Sequence, residues 1–347
     1  RIPTVSLARA WRPTAGSGSG TSPRAKPANE RSPSAGAGTK RAGLSPNDQR
    51  ARTAGLPRLR HRNALAAIAA ASALSLSIVP PANAAAVAPQ KIVSLNLCTD
   101  QLLVDLVPRD RIAAVSYLAT DRSLSAYARA LEGIKQVRGT AEEVLTLKPD
   151  LIIAGQYTTS ATVDLLRRLG QDVMVVPLAS DFPTMIKTIR TIAAAVGAKE
   201  RGEKVIADFN ERIRAARSPI PSRPRAIAYQ VGSLISGPHS LMDAIIEAAG
   251  YENAARDMHL GPAGRLPLEQ LIAHPPDLLV LANAPAEFKT VLADNLRHPA
   301  LEDLLHRVPS VHLPMTYWLC ATPRVAEAVE ILAGMKATNF AGREMPR

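Results

Sequence analysis

No Walker phosphate loop, Gly-x-Ser-x-Gly elbow or Gly-x-Gly-x-x-Gly fingerprint occurs in the 347 residues. Their absence removes the sequence signatures of P-loop NTPases, α/β-hydrolases and dinucleotide-binding enzymes. Histidines beyond residue 84 are few: His239, His259, His274, His298, His306 and His312 all fall in the second half, without a close i, i+3 or i, i+4 pair. A bare Zn or Mn site needs three or four converging His and carboxylate ligands, so this spacing argues against one. Aromatic residues make up 3% of the chain, and Trp318 is the single Trp beyond residue 84. No apolar run reaches the ~20 residues that a membrane-crossing helix requires. Cysteine is limited to Cys98 and Cys320. In an oxidising compartment they can pair, or they can stay free and line a cleft, because sequence does not say whether their Cα atoms approach within about 7 Å.

What is abundant is positive charge, at a formal +12. Spread over a folded domain it would point to nucleic acid. Residues 1–84, however, hold 13 of the 42 Lys and Arg but 2 of the 30 Asp and Glu, which leaves 29 basic against 28 acidic residues beyond them. The near-neutral remainder excludes nucleic acid as a partner. Residues 1–57, rich in Arg, Pro, Ser and Gly without apolar period, read as a disordered or non-native extension, with the true start codon left open. Residues 58–84 carry a basic segment (Arg58, Arg60, Arg62), an apolar run from Ala64 to Val79 and a small-residue end at Ala82-Asn-Ala84. That order is the pattern of a Sec-type signal peptide and predicts periplasmic export.

Beyond it, short β-rich runs at 91–95, 111–115, 151–154, 173–176, 225–229 and 277–281 alternate with helical patterns. This alternation predicts an α/β fold with largely parallel sheets. Thr99 is expected to cap a helix running to Val107, and Thr140 with Glu143 matches a capping box. Residues 183–217 read as a helical connector broken at Gly197, between an N-terminal lobe at 88–182 and a C-terminal lobe at 218–338.

The halves also repeat each other. Glu142-Glu-Val-Leu-Thr-Leu-Lys-Pro-Asp150-Leu and Glu269-Gln-Leu-Ile-Ala-His-Pro-Pro-Asp277-Leu share a Glu in the first turn of a short helix, eight residues before an Asp that precedes a buried strand. The segments lie 127 residues apart, about one lobe of chain. Two similar lobes, each presenting a Glu at the same place, are expected.

These segments, with Ile92-Val-Ser-Leu-Asn96, Gly237-Pro-His-Ser-Leu241 and the stretch from Trp318 to Arg324, are similar in order and spacing to the class III periplasmic binding proteins, the family of cobalamin, ferric-siderophore and haem binders. The resemblance covers nearly all of residues 88–338. It implies two Rossmann-like lobes joined by a rigid long helix, a ligand in the cleft between them and delivery to an ABC importer. It also implies that Glu142 and Glu269 dock onto the permease in the inner membrane, that the chain acts as a monomer, and that it needs no cofactor beyond its ligand.

Loops at the C-terminal ends of strands line the cleft in such sheets. They supply Asn96, Cys98, Thr99, Tyr117, Gln156 and Tyr157 from the first lobe, and Gln230, His239, Tyr317, Trp318 and Cys320 from the second. Tyr157, Tyr317 and Trp318 are the candidates for gripping a planar chelate. Arg265 or His239 would answer the charge of an anionic siderophore. The expected ligand is thus a ferric siderophore or a corrinoid, with haem or a metal ion as the alternative. An enzyme using Cys98 as nucleophile or Asp100 as acid-base is the rival from another class, but Asp100 follows Thr99 at a helix start, where capping and the helix dipole account for it.

Overall fold

The computed structural model describes residues 87–282 and 291–341. The predicted extension and signal peptide lie outside them. Among the described residues no helix is long and apolar enough to cross a membrane.

The first sheet has five parallel strands in the order β3-β2-β1-β4-β5: β1 (Ile92–Ser94), β2 (Ile112–Ser116), β3 (Gln136–Val137), β4 (Leu151–Gly155) and β5 (Val173–Val176). Helix α1 (Leu97–Leu106) crosses from β1 to β2 and α4 (Ser160–Arg168) from β4 to β5, in opposite directions across the sheet. The strand order therefore reverses between β1 and β4. Two short helices, α2 (Ala128–Leu131) and α3 (Ala141–Leu145), complete this half; Thr140 and Glu143 form the expected capping box.

The connector is a hairpin of two helices rather than one rod: α5 (Phe182–Ala195) and α6 (Lys199–Ala215). Gly197, with φ of +67°, makes the left-handed turn between them. Phe182 and Phe209 close the hairpin edge-to-face at 5.2 Å between ring centres.

The second sheet is mixed, not largely parallel. Strands β6 (Arg225–Tyr229), β10 (Leu278–Leu281) and β11 (Ser310–His312) run parallel, as does the short β8 (Glu252–Asn253) beside β6. Strands β7 (Leu234–Ser236) and β9 (Ala263–Arg265) join through antiparallel pairs. These extra strands are two or three residues long and carry no run of apolar residues, which is why periodicity misses them. The half also contains α7 (Leu241–Ala248), α8 (Leu268–Ala273), α9 (Pro299–Arg307) and α10 (Val325–Phe340).

The repeat has a structural job in each sheet. The Asp150 main-chain N–H donates to Lys91 O, while its carboxylate accepts from Gln90 and Lys91 N–H at 2.8 and 2.9 Å. In the other half the Asp277 N–H donates to Arg225 O, and its carboxylate accepts from Arg225 N–H at 2.7 Å. Each Asp pins the start of one central strand to the start of its neighbour, β4 to β1 and β10 to β6. The backbone donors hold the Asp150 carboxyl below the ordinary carboxylate range.

Strand residues alternate between two buried faces. Val93, Ile152 and Ala154 face an outer layer of the first half, and Ile227, Tyr229, Leu279 and Leu281 an outer layer of the second. Ile92, Leu151, Ile153, Ala226, Ala228, Leu278 and Val280 all belong to one continuous cluster. That cluster also takes in Leu103 and Leu106 of α1, Ile189 of α5, Phe209 of α6, Ile245 of α7 and Val329 and Leu332 of α10. The two sheets thus share a buried helical layer.

Candidate ligand-binding site

Where the first sheet reverses direction, the ends of β1 and β4 leave a crevice, the usual place for a ligand in an open α/β sheet. A cavity of about 290 Å³ lies there. Asn96 leaves β1 and caps α1, its Oδ1 accepting the Cys98 N–H at 2.9 Å. Its side chain lies against Gly155 at the end of β4, within 2.6 Å of where a Cβ would stand, so no larger residue fits at 155 without displacing Asn96. The turn after Gly155 closes on itself through Thr158: Thr158 N–H donates to Gly155 O at 2.9 Å and Gly155 N–H to Thr158 Oγ1 at 3.1 Å. Tyr157 is left standing outward, 75% exposed. Gln156 Oε1 accepts from Leu178 N–H at 2.9 Å and joins this turn to the chain leaving β5. The opposite wall comes from Leu319, Cys320 and Ala321, beyond β11. No charged side chain lines the cavity among the described residues, and Tyr157, Leu178 and Leu319 expose apolar surface around it.

Cys98 and Cys320 form a disulfide, with Cα atoms 5.1 Å apart, which settles the two readings left open by sequence. The bond stands in the cavity wall and ties the first turn of α1 to the chain that follows the last strand of the second sheet. A free Cys98 nucleophile is thereby removed.

Of the predicted site residues, Asn96, Cys98, Thr99, Gln156, Tyr157 and Cys320 line the cavity; the rest do not. Thr99 is not the helix cap. It sits in the first turn of α1, buried, its hydroxyl donating to Asn96 O at 2.9 Å and lying 2.7 Å from Ser94 Oγ. Tyr117 is exposed past the end of β2. Tyr317 and Trp318 turn toward the shared layer, the indole N–H of Trp318 donating to Leu313 O at 3.3 Å. Gln230 is held by Ser236 and Asn295. Arg265 donates to Gly232 O. His239 is carried away from the mouth: β7 runs antiparallel to β6, and His239 N–H donates to Asp243, whose carboxylate also holds Asn253, the partner of Ala226 low on β6. Leu178 was findable, since it follows the C-terminal end of a predicted strand. Leu319 had no such signal.

Beneath the cavity lies Asp100, fully buried, its carboxylate accepting from the Ser116 N–H and hydroxyl across α1 and β2. It acts as a tie between helix and strand, not as a helix-terminal charge. Burial pushes its carboxyl up to about 7, against the opposing hydrogen bonds of Ser116 and Ser94. The ordinary value is 3.8, so the folded chain holds this proton more tightly than the unfolded one. The associated stability is complete below pH 3.8 and is lost as pH rises to about 7. Asp100→Asn is expected to remove a pH-dependent loss on the order of 2–4 kcal/mol between pH 4 and pH 8, read by urea unfolding at several pH values. An unchanged pH profile in the variant would assign the effect elsewhere.

Glu142 and Glu269 are both exposed and both stand second in their helices, α3 and α8. Neither makes an ion pair among the described residues. Helix α3 starts four residues after β3 ends, and α8 three residues after β9, a strand parallel to β6 through its antiparallel neighbour β7. Both carboxylates therefore sit at the C-terminal edge of their sheets, the edge at which the cavity lies in the first.

Comparison with known proteins agrees with this geometry. A cobalamin-binding protein of Halobacterium salinarum is 26% identical over 197 residues, 55% of this chain and 53% of that protein. An uncharacterized ABC transporter substrate-binding lipoprotein of Bacillus subtilis, YvrC, is 24% identical over 180 residues, 49% and 56% of the two chains. The chain spans about half the length of these curated relatives. The periplasmic heme-binding protein RhuT from Roseiflexus sp. RS-1, solved in its apo form, superposes with a TM-score of 0.60 at 26% identity, covering 71% of this chain and 97% of that one. The family model for periplasmic binding proteins matches residues 92–304, more than half of the sequence, and takes in every strand of the two sheets but β11. This chain belongs to the periplasmic binding protein family.

Proposed function

We propose that the chain is the exported substrate-binding component of an ABC importer and that it delivers a bulky, largely apolar chelate of the corrinoid type. What carries the reading is the uncharged wall of the cavity at the β1–β4 crevice. An anionic ferric siderophore would meet no cation there, and burying unpaired charge is costly. Arg265 and His239, the residues that would have answered such charge, stand outside the cavity lining, Arg265 donating to Gly232 O instead. A corrinoid can instead lay an apolar edge between Tyr157, Leu178 and Leu319 and meet Asn96 and Gln156 with its amides. Haem, with its propionates left in solvent, is the second reading, favoured by the outward Tyr157, since a phenol oxygen is a known haem-iron ligand. The relatives bearing cobalamin-binding and heme-binding names lend both readings support.

In this reading residues 58–84 direct export and are removed, the chain acts as a monomer without turning over its ligand, and Glu142 and Glu269 contact the permease. Calorimetric titration with cyanocobalamin, haemin and a tris-catecholate ferric siderophore tests the ligand class. Cyanocobalamin or haemin is expected to bind with a Kd of about 1 μM or tighter, near −8 kcal/mol. Binding of the siderophore alone, or of none of the three, would overturn the proposal.

A further inference from the structure

The disulfide occupies a place that a purely structural crosslink does not need. The shared buried layer already holds the two sheets together, yet the bond runs through the wall of the cavity, from α1 to the turn before α10. The two cysteines are unequally exposed. Both line the cavity, but Cys320 is 2% exposed and Cys98 only half-buried, so the Cys98 end of the bond is the more open to a thiol entering there. Cys98 is also the second residue of a ten-residue helix, where main-chain N–H groups and the helix dipole favour a thiolate.

We propose that Cys98–Cys320 is a reducible latch on the ligand cavity, opened by an external dithiol. One thiolate of the dithiol attacks Cys98 Sγ, forming a mixed disulfide there. The bond to Cys320 breaks, and Cys320 departs with the electron pair and takes up a proton. The second thiol of the reductant then attacks its own sulfur in the mixed disulfide, releasing Cys98 as the thiolate that α1 stabilises. Two electrons have passed to the protein, and the reductant leaves as a cyclic disulfide. Opening the latch frees the first turn of α1, which carries Asn96 at the polar corner of the cavity, from the wall formed by Leu319 and Cys320. The cavity then changes from a fixed shape to one that can widen. The bond chemistry stands on geometry alone; its effect on cargo rests on the cavity being the ligand site.

The test uses the full chain under native conditions. Glutathione followed by maleimide trapping and peptide mass mapping is expected to place the glutathione on Cys98 and the maleimide on Cys320; dithiothreitol is expected to free both. In the dithiothreitol-reduced chain, amide hydrogen exchange over residues 97–106 and 315–325 is expected to quicken roughly tenfold or more, with β4 and α8 unchanged. Cys98→Ser/Cys320→Ser should reproduce that exchange pattern without reductant, and should it not fold, the reduced natural sequence decides. Glutathione on Cys320, reduction only in denaturant, or unchanged exchange in both segments after reduction would each overturn the latch. None of these readouts involves cyanocobalamin or haemin, so failure of the ligand assignment leaves them intact.

Discussion

Replacing Glu142 and Glu269 together by Arg is expected to abolish import while leaving ligand affinity unchanged. The two carboxylates stand at the same helical position in the two halves, both exposed, and both at the C-terminal edge of their sheets. A single exposed ion pair contributes only about 0.2–1 kcal/mol, so neither Glu is a strong anchor alone. In the proposed docking, two of them, one on each half, would fix a register against basic groups of the permease, and reversing both would set like charges face to face, at a cost of several kcal/mol. Uptake of labelled ligand by the reconstituted transporter should fall more than ~10-fold for the double reversal and partially for each single one. Neither residue lines the cavity, so calorimetric affinity serves as the control. Normal uptake by the double variant would confine both residues to their helix termini, where each merely complements the dipole.

The second large effect concerns stability. Cys98→Ser/Cys320→Ser is expected to lose about 2–4 kcal/mol relative to the oxidised chain. The crosslink joins residues 222 apart in sequence, and the entropy it removes from the unfolded chain grows with the logarithm of that separation. Guanidinium unfolding should show a lower midpoint together with a steeper dependence on denaturant, because the uncrosslinked unfolded chain exposes more surface. A midpoint that does not move would mean that the shared layer alone fixes the native state.

Legibility in the sequence followed the range of the interactions. The central strands β1, β4, β6 and β10 were visible because they are buried on both faces and therefore read as short runs dominated by Ile, Leu, Val and Ala. The Asp150 and Asp277 clamps were visible as a repeated spacing, although their purpose, pairing two strand starts, appears only once Lys91 and Arg225 stand beside them. Contacts between distant segments were not visible. The Cys98–Cys320 bond depends on α1 meeting the turn before α10, and nothing local to either cysteine announces it. Trp318 carried the expected chemistry for a ligand platform, yet the carbonyl of Leu313 and the shared layer turn its ring away from the cavity. At the start of α1 two good capping residues compete, and Asn96 takes the role because it alone keeps extended backbone as it leaves β1, at φ −145°. The antiparallel strands β7 and β9 have no counterpart in the first half, so the internal repeat gave no template for them.

The layer shared by the two sheets makes the duplicated halves inseparable. Cutting the chain near residue 217 would divide this cluster, with Leu103, Ile189 and Phe209 on one fragment and Ile245, Val329 and Leu332 on the other, and would expose to water whatever apolar surface packs across the cut. Neither fragment would keep a closed core, so a sequence that reads as two similar units melts as one, and complementation from two separately expressed halves requires them to meet before either can fold.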